Sequence, residues 1–177
     1  MEKHIALLRG INVGGHKKFT KAQQLEVLSS LGYENTNVYL HTGNWFFETS
    51  ENKEEITQNI SKAIQIKFGW ELPVLVLTPS EIEKIFQNCP FSEEKKVKSY
   101  FILLSEKPNE NLIKEVSFIQ YPNEEIIITA NCIYFYASKG YGRTKFNMNT
   151  FEKKLNVRAT SRNYRTMTKL LELSTTL

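Results

Sequence analysis

The sequence predicts an α+β fold with one topology written twice, and two observations predict it. Apolar runs alternate between strand-like and helix-like spacing in the order β-α-β-β-α-β, and after a charged stretch the same order restarts. Each half then reads as a ferredoxin-like βαββαβ unit, an internal duplication with linking and C-terminal helices added. The 177 residues suit one ordinary domain or two small ones.

In the first half, residues 5–8 form a short apolar strand. Thr20-x-x-Gln23 is a capping box that opens a helix with Leu25, Leu28 and Leu31 on one face, and Gly32 stops it. Residues 38–40 and 45–47 read as strands around a Thr42-Gly43 turn. Ile56, Ile60, Ala63 and Ile64 mark the next helix, with Ser50 or Asn52 as its cap, and residues 74–77 close the half as an apolar strand.

A linking helix follows, capped by Ser80-x-x-Glu83 and ended by Pro90. The charged run at 92–98 marks the boundary, giving halves at 1–78 and 99–177 with a linker at 79–98. The second half begins with a strand at 100–104. A helix at 109–119 turns Leu112, Ile113 and Val116 inward. Strands at 126–129 and 133–136 flank a two-residue Ala130-Asn131 turn. A short helix at 150–155, a short strand at 156–159 and a last helix to about residue 173 complete it.

Hydrophobic residues make up 41% and charged residues 24%, a soluble globular profile. All 19 acids are glutamate. The absence of aspartate tells against aspartate triads, EF-hand loops and a Walker B magnesium carboxylate. The net charge of +4 is unevenly placed: residues 136–177 hold nine basic side chains against Glu152 and Glu172, a local +7. That block points to an anionic partner. Cys89 and Cys132 have no metal-type spacing and suit a reducing cytoplasm, and no apolar run is long enough for a membrane helix.

Topology brings residues 9–18 beside 41–44 in the first half, and 139–145 beside 160–165 in the second. In the first pair, Gly10, Gly14 and Gly15 let backbone amides crowd an anion, with Arg9 and Lys17 as cations and Asn12, Thr42 and Asn44 as polar neighbours. Gly10 and Gly15 have Walker A spacing, but His16 stands where lysine belongs, so no magnesium-nucleotide loop is predicted. In the second pair, Arg143, Thr144, Lys145, Arg162, Asn163 and Arg165 suit a phosphate or carboxylate. The alternative is that Ser161 or Asn163 merely caps the last helix. Lys139-Gly140-Tyr141-Gly142 copies the start of an RNA-recognition motif without its aromatic half, and Tyr134 and Tyr136 could stack bases only on an open sheet face. His16 and His41 are the acid-base candidates, and two histidines without a carboxylate cluster make no metal site.

Ala6-Leu7-Leu8-Arg9-Gly10-Ile11-Asn12-Val13-Gly14-Gly15, Thr42-Gly43-Asn44, Gly142-Arg143-Thr144-Lys145 and Thr160-Ser161-Arg162-Asn163-Tyr164-Arg165-Thr166 resemble an uncharacterised bacterial family, domain-of-unknown-function family 1697. Thr42 and Thr144 replace the family's usual serine and Tyr164 its tryptophan. The resemblance implies a duplicated α+β fold and no particular activity. The sequence thus predicts a cytoplasmic, metal-free and cofactor-free binder of an anionic small molecule or nucleic acid, not a membrane protein. An enzyme using His16 and His41, or a module docking an acidic protein, are the alternatives. Oligomeric state is not readable from the sequence.

Overall fold

The computed structural model describes residues 1–176, which form two four-stranded antiparallel sheets. The elements of the first are β1 (Glu2–Leu8), α1 (Lys21–Ser30), β2 (Glu34–Tyr39), β3 (Asn44–Thr49), α2 (Lys53–Phe68) and β4 (Val74–Leu77). Helices α3 (Pro79–Gln87) and α4 (Glu93–Lys96) follow. The second sheet belongs to β5 (Tyr100–Leu104), α5 (Glu110–Ser117), β6 (Glu124–Ile128), β7 (Cys132–Ala137), α6 (Met148–Leu155) and β8 (Ala159–Asn163), and α7 (Tyr164–Thr176) ends the chain. Strand orders β2-β3-β1-β4 and β6-β7-β5-β8 are the same arrangement twice. The duplicated ferredoxin-like α+β fold is therefore present. By compactness, one unit comprises Met1–Ile82 with the chain from Leu170, and the other Glu83–Lys169.

In the first unit, Ala6 and Leu8 of β1 and Trp45 and Phe47 of β3 share a core with Ile56, Ile60 and Ile64 of α2. Trp45 and Phe47 thus pack beneath helices. Thr20 and Gln23 make the predicted capping box with both of its hydrogen bonds, and Asn52, not Ser50, caps α2 with Glu55. The inward face of α1 is wider than the leucine stripe: Leu25, Leu28 and Leu31 all pack on the core, and Gln24 and Val27 are buried with Leu28. A glutamine replaces an apolar residue there because its amide finds partners, described below.

Helix α3 is capped two residues before the predicted cap, at Thr78 instead of Ser80. Thr78 Oγ1 accepts Glu81 N at 3.3 Å, and Glu81 Oε2 accepts Thr78 N at 2.8 Å. Proline at the first helical position suits this frame, where no N–H partner is needed. The Glu81 carboxylate also pairs with Lys53, which with the Thr78 bonds holds its carboxyl below the usual range although burial opposes this.

In the second unit, Ile102, Ile133 and Phe135 form a core with Val116, Phe151 and Leu155. The opposite face of the sheet is also filled. Phe86 stacks on Phe101 at 5.6 Å, and Tyr134, 2% exposed, donates its hydroxyl to Ile85 O at 2.7 Å. Tyr134 therefore has no open face on which a base could stack. The last strand also departs from expectation, running Ala159–Asn163 instead of 156–159. Asn156 takes a left-handed C-cap conformation with φ 53°, and buried Glu152 accepts Ala159 N at 2.8 Å. Asn156 thus turns the chain out of α6, and pairing with the β5 side begins only where Ser105 N donates to Arg158 O at 2.9 Å. Thr160, Ser161 and Arg162 are accordingly strand residues and not loop residues.

Candidate functional site

The first predicted loop pair does meet. Asn12 and Lys17 close a small hairpin through Asn12 N and Lys17 O at 3.2 Å, and His16 N donates to Val13 O at 3.1 Å across the tip. Gly14 (φ +59°) and Gly15 (φ +79°) form that tip, the paired positive-φ geometry of a type I′ turn. The Asn12 side chain fastens the hairpin. Its Oδ1 accepts Phe19 N at 2.8 Å, and its Nδ2 donates to Phe19 O at 2.9 Å and to His41 O. Gln24 Nε2 donates to the same two carbonyls, at 2.9 Å and 3.3 Å. The 9–18 and 41–44 segments are thus joined through the His41 carbonyl.

Gly43 lies where these segments cross. At φ +81°, a Cβ there would stand 2.6 Å from Leu8 Cβ and 3.0 Å from Ile11 Cδ1. Leu8 N donates to Gly43 O at 2.8 Å, and buried Asn44 donates to Tyr39 O at 2.9 Å and Thr42 Oγ1 at 3.3 Å. Asn12, Thr42 and Asn44 therefore shape the loop from within. Lys17 reaches away, donating its ammonium to Glu71 O at 3.1 Å.

What faces outward is the hairpin surface. Gly10, Gly14, Gly15, His16, Lys18 and His41 are exposed and Arg9 is half-buried. The Gly10, Gly14 and Gly15 amides meet no acceptor among the described residues. Neither the His16 nor the His41 imidazole makes a hydrogen bond or ion pair there.

The second pair is arranged differently. Residues 139–145 and 160–165 flank β5, whose Tyr100 pairs with Phe135 on one side and Asn163 on the other. Tyr141 begins a 3-10 turn (Tyr141–Arg143) and packs on the Tyr100 ring at 4.3 Å. The RNA-recognition-like residues lie on this turn, off the central strand. Glu124 anchors the loop behind it. Its carboxylate accepts Lys145 N, and Phe146 N at 3.0 Å. The chain's own anion thus occupies these amides. The Thr144 hydroxyl donates to Tyr141 O at 2.9 Å.

Arg162 sits 9% exposed on β8, and its Nη1 donates to Thr160 Oγ1 at 3.2 Å and Ser161 O at 2.9 Å. Burial pushes its guanidinium down to about 10. Asn163 caps α7, its Oδ1 accepting Thr166 N at 2.9 Å. Arg143, Lys145 and Arg165 remain exposed. An open groove of about 690 Å³ gathers Lys153 and Arg158 with Glu106, Glu152 and Asn156, away from the predicted site residues.

Burial raises both the Cys89 and the Cys132 thiol, which keeps them poor nucleophiles. Among the described residues, no group of three or more His, Cys, Asp or Glu side chains is placed to hold a metal ion, and no helix is long and apolar enough to cross a membrane. The sequence missed two residues: Gln24, hidden in an apolar stripe, and Glu124, distant in sequence from the loop it anchors.

Residues 1–134 match the family model described as Protein of unknown function (DUF1697), and the chain belongs to that family. No curated protein matches the chain. A solved structure, that of the conserved bacterial protein SP0830 from Streptococcus pneumoniae, is similar at 21% identity. The likeness has a TM-score of 0.78 and covers 97% of this chain and 98% of that one. At that identity the likeness speaks for the fold alone.

Proposed function

We propose that this member of the family binds an anionic ligand, a nucleic-acid backbone, a nucleotide or a phosphorylated metabolite, at the Gly-rich hairpin of its first unit. One observation carries the reading. The exposed Gly14-Gly15 turn offers unpartnered amides on a loop fixed from behind by Asn12 and Gln24. Preorganised amides bind an anion without an ordering cost at the moment of contact. Arg9 and Lys18 supply charge around them.

Titration with inorganic phosphate, a mononucleotide and a single-stranded oligonucleotide, followed by amide NMR, tests this. Gly10, Gly14 and Gly15 resonances move first and Lys18→Ala weakens the response. For duplex DNA, log affinity falls against log salt with a slope of about −0.9 per phosphate contacted. Unmoved glycine amides with all three probes would refute the site.

A further inference from the structure

We infer that the outer edge of β6 is a docking surface for a second copy of this chain, whose own β6 adds antiparallel about a two-fold axis through Ile127. Strand β6 ends its sheet. Thr129 N donates to Cys132 O at 2.9 Å, which fixes the alternation of the hairpin. Glu125 and Ile127 then bond to Tyr136 and Tyr134, and the N–H and C=O groups of Ile126 and Ile128 point outward. Nothing among the described residues meets those outward groups.

Edge strands of soluble proteins are ordinarily blunted by bulges, charge or proline. Strand β2, at the equivalent edge of the first sheet, is blunted: its register shifts between Glu34 and Asn37, and Asn35 sits at φ 48°. Strand β6 runs in unbroken register, Glu124-Glu125-Ile126-Ile127-Ile128, without lysine or proline. Its two acids are both engaged within the unit. Glu124 holds the Lys145 and Phe146 amides, and Glu125 pairs with Lys95 at 2.6 Å. Beside the edge lies an open groove of about 380 Å³ whose lining mixes Ile119, Tyr121, Ile126 and Ile127 with the polar Glu124 and Glu125. Two apolar side chains are left in solvent nearby in the sequence of the same unit, Phe118 at 84% and Ile127 at 38% exposure.

The strand's self-complementarity selects its occupant. A two-fold at Ile127 sets Ile126 opposite Ile128, Glu125 opposite Thr129 and Glu124 opposite Ala130, so no acid faces an acid. Cross-strand isoleucine pairs stabilise such a junction where facing like charges would oppose it. Closed two-fold pairing is also the commonest assembly of soluble chains.

Light scattering across a concentration series tests the assignment. The mass rises from 20.6 kDa towards twice that value as concentration increases. Ile127→Lys places two ammonium groups face to face at the axis and holds the mass at that of the monomer. Ile128→Pro does the same by removing an outward N–H while sparing the ladder to β7. Ile127→Cys provides a readout independent of those variants' folding. Its two copies stand about 4.5 Å apart between Cα atoms, within disulfide reach, and cross-link on mild oxidation above the Cys89 and Cys132 background of the parent chain. A chain that stays monomeric at every concentration overturns the proposal. So does a dimer that folded Ile127→Lys leaves intact, or Ile127→Cys without an enhanced cross-link.

Discussion

Trp45 donates its indole N–H to Gln24 Oε1 at 2.6 Å, and both side chains are fully buried. The same glutamine donates to the Phe19 and His41 carbonyls, so one amide links α1, β3 and the two loops of the candidate site. Gln24→Leu preserves size but leaves the indole without its partner, at a cost of about 1–3 kcal/mol. The urea midpoint falls with an unchanged slope, and Trp45→Phe in the same chain recovers part of the loss.

Gly43→Ala and Gly69→Ala separate steric crowding from backbone strain. Both glycines have positive φ, +81° and +69°, but only Gly43 would push its Cβ against another residue. Gly69→Ala costs about 1 kcal/mol, the left-handed penalty alone. Gly43→Ala adds overpacking against Leu8 and Ile11, for about 3–5 kcal/mol in total. Equal losses in a denaturation series would contradict the crowding seen at Gly43.

His4 makes the fold sensitive to mild acid. It is 2% exposed, neither ring nitrogen has a hydrogen-bond partner, and Glu2 stands 3.9 Å from Nε2. Burial lowers its pKa below 6.5, with Lys53 acting in the same sense and Glu2 and Glu81 opposing. In the window between the folded and unfolded values, the unfolded chain holds the extra proton. Stability therefore falls as pH drops through 6.5, and the loss levels off below the folded value. The slope from this one group is at most about 1.4 kcal/mol per pH unit. His4→Phe, whose ring can lie beside Phe47, removes that part of the pH dependence from chemical melts.

Thr78→Ala weakens the start of α3 by about 1 kcal/mol, whereas Ser80→Ala stays within about 0.5 kcal/mol. The difference follows from the observed cap, in which Thr78 and not Ser80 exchanges hydrogen bonds with the acid three residues on.

Glu124→Ala frees the Lys145 and Phe146 amides, and their hydrogen exchange accelerates while that of the β5–β7 ladder stays slow. Uniform acceleration across the second unit would mean instead that Glu124 supports the whole fold.

The contrast between Thr20 and Thr78 explains what was legible. Thr20-x-x-Gln23 is a local pattern with one frame, so residue type alone places the cap. At α3 the chain offers Thr78-x-x-Glu81 and Ser80-x-x-Glu83, and the first prevails with Pro79 at the helix start and Lys53 paired to Glu81. Strand β8 was hidden for a related reason. Thr160-Ser161-Arg162 is polar enough to read as a loop, yet β5 supplies its apolar partners across the ladder. The loop contacts at His41 were legible because ferredoxin-like topology dictates them. The burial of Arg162 and the role of Glu124 were not, since each depends on residues brought near only by the sheet.

A carboxylate tethered beside the Lys145 and Phe146 amides competes with every dissolved anion at an effective concentration of about millimolar or above. Of two loops with similar sequence character, one is thereby closed to dilute ligands by its own chain. On the binding proposed above, a scarce anion is left the amides of Gly14 and Gly15, which no carboxylate of the chain contests.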